Sequence, residues 1–171
     1  MRFFVVKESK QRLKGKINLP GDKSIACRSI IISAISQGKT LIDNFPGNED
    51  CLYTLKVFKK LGVKITQNTK EVTVFGNGLF GLKKPKDPLF LGDSGTAFRL
   101  MLGVLAGQDF AATLTSGKSL SQRPMLRVTQ PLRMMGAIIK SKIKKSLPAG
   151  RQEKSKIEEY PPITIKGGNL K

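Results

Sequence analysis

The sequence predicts a mixed α/β (α+β) fold made of repeated β-α-β-α-β-β units with buried helices. Three observations carry that expectation. The stretch Gly21-Asp22-Lys23-Ser24-Ile25-Ala26-Cys27-Arg28 is matched by Gly92-Asp93-Ser94-Gly95-Thr96-Ala97-Phe98-Arg99, with Gly, Asp, Ala and Arg at the same spacing in both. Each stretch opens a helix that is apolar over most of its circumference, as a helix enclosed on nearly all sides should be. Each copy then closes alike, with a glycine-ended helix, strands and a glycine pair at Gly76-Asn77-Gly78 or Gly167-Gly168. Self-similarity of this kind indicates supersecondary units stacked on one core.

Taken in order, Phe3 to Val6 and Arg12 to Asn18 read as strands, the second ended by Pro20-Gly21. A helix follows over about residues 24–36 and is closed by Gln37-Gly38, and Thr40 to Phe45 is a short strand. Asn48 caps the next helix, Glu49 and Asp50 supply first-turn acids suited to the positive end of its dipole, and Gly62 ends it. Val63 to Thr66 and Glu71 to Phe75 form a hairpin. In the second copy, Leu89 to Leu91 is a strand, Thr96 to Leu105 a helix and Ala111 to Leu114 a strand. Pro124 suits the first turn of a helix running to Met135. Ile138 to Ser141 and Pro161 to Lys166 form the closing hairpin, and the charged, turn-rich connection over about 142–159 reads as a disordered insertion.

Composition narrows the function. The 171 residues, 39% hydrophobic, suffice for one core. A net charge of +19 would attract polyanions at low salt, yet aromatics make up 6% with no Trp, and no basic helix or aromatic-studded strand matches a nucleic-acid reading motif. The excess therefore reads as a solvated, lysine-rich surface, with a few cations serving small phosphorylated ligands. Cys27 and Cys51 form neither a disulfide framework nor a metal site, since neither has a Cys or His near it in sequence, which suggests a reducing compartment. No metal or cofactor is expected. The apolar run at residues 3–6 is too short for a signal peptide and no stretch approaches a membrane span, so the expectation is a cytoplasmic protein.

The opening turn has the chemistry of a phosphate site. Asp22 or Ser24 can cap the helix, whose first N–H groups then face outward, Lys23 adds a point charge, and Arg28 offers a two-pronged donor. Alone, the turn fits equally an ordinary capped helix with two solvated cations.

Leu19-Pro20-Gly21-Asp22-Lys23-Ser24-Ile25 with Arg28, Gly92-Asp93-Ser94-Gly95-Thr96 with Arg99, and Gln122-Arg123-Pro124-Met125 together resemble the N-terminal signatures of the 5-enolpyruvylshikimate-3-phosphate synthase family, in its order and spacing. The resemblance implies buried helices and outer sheets, three such units per domain and two domains. Residues 1–171 would then be a truncated N-terminal enolpyruvyl-transferase domain with two of its three units, one over about 21–79 and one over about 92–170. The activity implied is transfer of the enolpyruvyl group of phosphoenolpyruvate to the 5-hydroxyl of shikimate 3-phosphate, by a monomer in the full-length family. By motif position, Lys23, Ser24 and Arg28 would hold shikimate 3-phosphate. Lys23, Asp93, Gly95 and Arg123 would hold phosphoenolpyruvate, with Lys23 and Arg123 catalytic. Further contacts and the proton-transferring acids would come from a part of the family chain not matched here, so these residues alone are expected not to turn over. Asp93 stands where the family commonly has Asn, and a carboxylate beside a phosphate is repulsive unless protonated or turned away. Two other readings are a sister transferase acting on UDP-N-acetylglucosamine, which typically has Lys-Asn in place of Lys23-Ser24, and a basic RNA-end-processing protein of related repeat architecture.

Overall fold

Asp22 decides where the first helix begins. Its carboxylate accepts a hydrogen bond from the Ile25 N–H at 2.7 Å, so α1 runs Lys23–Ile35. The computed structural model describes residues 3–5, 7–8, 12, 14–145, 157–168 and 170. After α1 come β1 (Gln37–Ile42), α2 (Glu49–Lys60), β2 (Lys64–Gln67) and β3 (Val72–Asn77). They are followed by β4 (Leu89–Phe90), α3 (Gly95–Ala106), β5 (Ala111–Thr115), a 3-10 turn at Leu120–Gln122, α4 (Leu126–Met134), β6 (Ile138–Lys145) and β7 (Ile157–Lys166).

The strands form two sheets. The first is antiparallel in the order β1-β3-β2; the second has the order β4-β5-β7-β6, in which only β4 and β5 run parallel. The helices lie between them: α1 packs on α2, α3 and β3, and α3 packs on α4 and β7. Cys27, Ile30 and Ala34 of α1, Leu55 and Phe58 of α2, and Phe98, Met101, Leu102 and Leu105 of α3 are buried in one continuous apolar cluster. Asp22→Ala should cost about 1 kcal/mol by removing the cap of α1, a drop of a few degrees in melting temperature; an unchanged melt would mean that tertiary packing alone sets the helix start.

Several expectations need correction. Residues 3–5, 12 and 14–20 form no strand, and Ile17 and Leu19 are 82% and 74% exposed: alternation alone makes no strand where no neighbouring edge accepts it. Val6 and Leu13 lie outside the described residues. Neither α1 nor α3 is enclosed on nearly all sides, because Ile25, Ile32 and Leu100 are 64%, 59% and 40% exposed. Gln37-Gly38 belongs to β1 instead of closing α1, since Ser36 ends the helix by donating both its N–H and its Oγ–H to the Ile32 carbonyl. Pro124 precedes the last helix, which begins at Leu126 and contains Pro131, a position that forgoes one helical hydrogen bond.

The hairpin β6–β7 is longer than expected. It continues past a register shift at Ser141/Lys142 to pair Lys142 with Tyr160 and Lys144 with Glu158, so 142–145 and 157–159 are strand and not insertion. The reason is Glu159, whose 6% exposed carboxylate is gripped by both guanidinium nitrogens of Arg133. Positions 146–156 of the expected insertion lie outside the described residues.

Candidate functional site

Two helix N-termini carry the candidate residues. At the first, Gly21 donates its N–H to the Asn44 carbonyl at 3.1 Å, and a Cβ there would fall 2.3 Å from that oxygen, so only glycine lets the chain enter α1 on this path. Asp22 is used as the cap. Lys23 turns its ammonium to Asp50, Nζ to Oδ2 2.8 Å, and this hydrogen bond raises the Lys23 pKa from its ordinary value against the lowering effect of burial. Ser24 is half-buried and Arg28 exposed; among the described residues Arg28 makes no ion pair.

At the second N-terminus the repeat is not exact. Ser94 caps α3 through a hydrogen bond from the Ala97 N–H at 3.3 Å, which starts the helix at Gly95 and releases Asp93. The Asp93 carboxylate swings to the Leu120 N–H at 2.7 Å. It is therefore held by the 117–120 loop, and Ser94 takes its place as the cap of α3.

Around Gly95 the chain gathers positive charge. A Cβ on Gly95 would lie 2.8 Å from Arg99 Nη1 and 3.7 Å from Arg123 Nη1, which places both guanidiniums against the backbone that opens α3. Arg99 donates from Nη2 to the Pro124 carbonyl at 3.3 Å and Arg123 from Nη2 to Ser119 Oγ at 3.5 Å. Burial, with the charges of Arg127 and Arg123, lowers the Arg99 pKa, and its buried Nε has no hydrogen-bond partner. Arg99, Arg123, Pro124, Arg127 and Glu158 line a cleft of about 300 Å³. Two guanidiniums against one helix N-terminus, with a third cation and one carboxylate lining the same cleft, make a place for an anion.

The structure thus brings Gly95 and Arg123 together and leaves Asp93 at the edge with its charge redirected. Among the described residues no hydrogen bond or ion pair joins Lys23, Ser24 or Arg28 to that group. Sequence reasoning missed Asp50 as the partner of Lys23, although its place in the first turn of α2 marked it as charged and orderly. It also left Arg99 and Arg127 without a role; the closeness of Arg123 and Arg127 in sequence was the available signal. No helix among the described residues is long and apolar enough to cross a membrane.

Comparison with known proteins gives one answer. The family model for EPSP synthase (3-phosphoshikimate 1-carboxyvinyltransferase) matches residues 7–161. The 3-phosphoshikimate 1-carboxyvinyltransferase of Bacillus licheniformis is 47% identical over 159 residues, covering 93% of this chain and 34% of that protein. That of Bacillus cytotoxicus is 46% identical over the same shares. A 2.37 Å structure of EPSP synthase from Acinetobacter baumannii superposes with a TM-score of 0.78 at 42% identity, covering 92% of this chain and 33% of that one. The chain spans about a third of the length of the relatives it matches. With a family model over most of its residues and relatives at this identity, the chain belongs to the EPSP synthase family.

Proposed function

We propose that this chain contributes the α1 and α3 helix ends of a 3-phosphoshikimate 1-carboxyvinyltransferase site, which joins phosphoenolpyruvate to shikimate 3-phosphate. The observation that carries this reading is the pair Arg99 and Arg123 against the N-terminus of α3, with Arg127 lining the same cleft, where Arg99 keeps an unpartnered buried N–H. Such a cluster is repulsive by itself and gains from an anion. In this reading Gly95 N–H and Arg123 hold the carboxylate or phosphate of phosphoenolpyruvate, and Asp93 acts by holding the 117–120 loop. Lys23, Ser24 and Arg28 hold the phosphate of shikimate 3-phosphate. The two anions would then lie at the ends of neighbouring helices, the arrangement that a reaction between them requires. Lys23 and Arg123 would serve the transition state by keeping their charge on the phosphate and carboxylate as bonds change, with no proton transfer of their own.

Titration calorimetry with shikimate 3-phosphate, shikimate and phosphoenolpyruvate tests the assignment. Shikimate 3-phosphate should bind saturably and shikimate should not, and Lys23→Ala should weaken the former about tenfold, the low end for a charge-assisted hydrogen bond because Asp50 already shares the ammonium. Equal affinity for phosphorylated and unphosphorylated ligand, or no loss in Lys23→Ala, would overturn it.

A further inference from the structure

Cys27 and Cys51 were expected to have no partner, yet they meet in the core. Their sulfurs lie 3.8 Å apart across the contact between α1 and α2, both side chains are fully buried, and both are free thiols. A disulfide needs an S–S distance of about 2.05 Å, so the sulfurs must approach by roughly 1.8 Å, within reach of side-chain rotation and a small shift of one helix end.

Their surroundings are unequal. Cys27 Sγ lies against the Cys51 sulfur and, at 3.7 Å, against the Thr54 hydroxyl oxygen, whose own proton is donated to the Asp50 carbonyl at 2.8 Å. Cys51 Sγ lies 3.6 Å from the Lys23 carbonyl oxygen, an acceptor that favours a protonated sulfur. A thiolate therefore belongs on Cys27. The hydrogen bond from Cys51 is the chief reason that the Cys27 pKa falls to about 7 despite burial, while that same bond and burial push Cys51 up. A nucleophilic thiolate in contact with a protonated partner is the arrangement of a dithiol that closes on oxidation. No cluster of three or more Cys, His, Asp or Glu among the described residues offers a metal site in competition.

We propose that Cys27 and Cys51 form a reversible disulfide under peroxide, tying the second turn of α1 to the first turn of α2, the helices that the Lys23–Asp50 ion pair also joins. The Cys27 thiolate attacks one peroxide oxygen, the O–O bond breaks, and the departing hydroxide takes up a proton to become water, leaving a sulfenic acid on Cys27. Cys51 gives up its proton, its sulfur attacks Cys27 Sγ, and the S–O bond breaks as a second water leaves. Each sulfur loses one electron, and hydrogen peroxide is reduced to two waters. A dithiol reductant reverses the reaction. A peroxide, which is little larger than water, suits a pair this deeply buried better than a bulky disulfide does.

The test exposes the 171-residue chain to millimolar hydrogen peroxide and quenches it. Thiols are then counted by maleimide labelling in guanidinium, and the unreduced protein is digested for mass mapping. Both thiols should disappear together, the Cys27 and Cys51 peptides should appear as one linked species, and dithiothreitol should restore both. In Cys51→Ser, which keeps a hydroxyl able to donate to Cys27, Cys27 should be trapped as its sulfenic acid by dimedone added with the guanidinium; in Cys27→Ser, labelling of Cys51 should be at least tenfold slower. Two intact thiols after a peroxide dose that oxidises free cysteine, unlinked sulfinic acids in the wild type, or equal dimedone labelling of the two variants would each overturn the proposal.

Discussion

Replacing Arg133 by methionine is expected to destabilise the protein by about 3–5 kcal/mol, because it leaves the Glu159 carboxylate buried without its counter-charge. For a chain of this size that corresponds to a fall in melting temperature of roughly 6–20 °C. The effect should depend on pH. Burial alone would raise the Glu159 pKa, but the Arg133 guanidinium, with the Thr129 and Ser141 hydroxyls close by, outweighs it and holds the folded value below the usual one. A carboxylate whose folded pKa is depressed contributes fully above its unfolded pKa, about 4.3, and the contribution is lost as pH falls through the folded value. Without Arg133, burial pushes the same carboxyl up, and the variant sheds its penalty as Glu159 is protonated. The two melting curves should therefore converge on acidification, and adding Glu159→Gln to Arg133→Met should recover most of the loss at neutral pH. A melting temperature within about 2 °C of wild type at pH 7 would mean that water reaches Glu159 and the hairpin does not rest on this pair.

Arg123→Ala is expected to act in opposite directions on binding and on stability. Each charge-assisted hydrogen bond to a bound anion is worth about 1.5–3 kcal/mol, so phosphoenolpyruvate affinity should fall roughly 10- to 150-fold. The charge of Arg123 also bears unfavourably on Arg99. Its removal should leave the melting temperature of the unliganded protein unchanged or slightly higher. Calorimetry and thermal melts on one preparation check both. A loss of affinity accompanied by a lower melting temperature would make Arg123 a structural residue, and unchanged affinity would take it out of the site.

What could be read from the sequence was what local chemistry decides. Asp22 and Asn48 cap their helices through their own side chains, within three residues, and both were legible. The glycine turns and the pairing of β2 with β3 were legible for the same reason. The repeat misled at one point: Asp93 matches Asp22 in sequence, but Ser94 takes the cap and Asp93 is claimed by Leu120, 27 residues away. Lys23 with Asp50, Cys27 with Cys51, and Arg99 with Pro124 are likewise encounters across 24 to 27 residues. No periodicity announces them, because they depend on how helices settle against one another. The three arginines lay in plain sight, but the meeting of Arg99 and Arg123 at Gly95, with Arg127 in the same cleft, is a product of packing.

The Lys23–Asp50 ion pair sets a condition on what can occupy the opening turn. Its ammonium is already neutralised, so an arriving ion must outbid a carboxylate held at 2.8 Å instead of filling an empty positive hole. A weakly coordinating monoanion such as chloride gains too little from that exchange. A phosphate ester carrying two charges gains from the helix N–H groups as well as from Lys23, and can displace Asp50 or share the ammonium with it. The turn would thus discriminate by ligand charge, holding off small monoanions while admitting a phosphate ester.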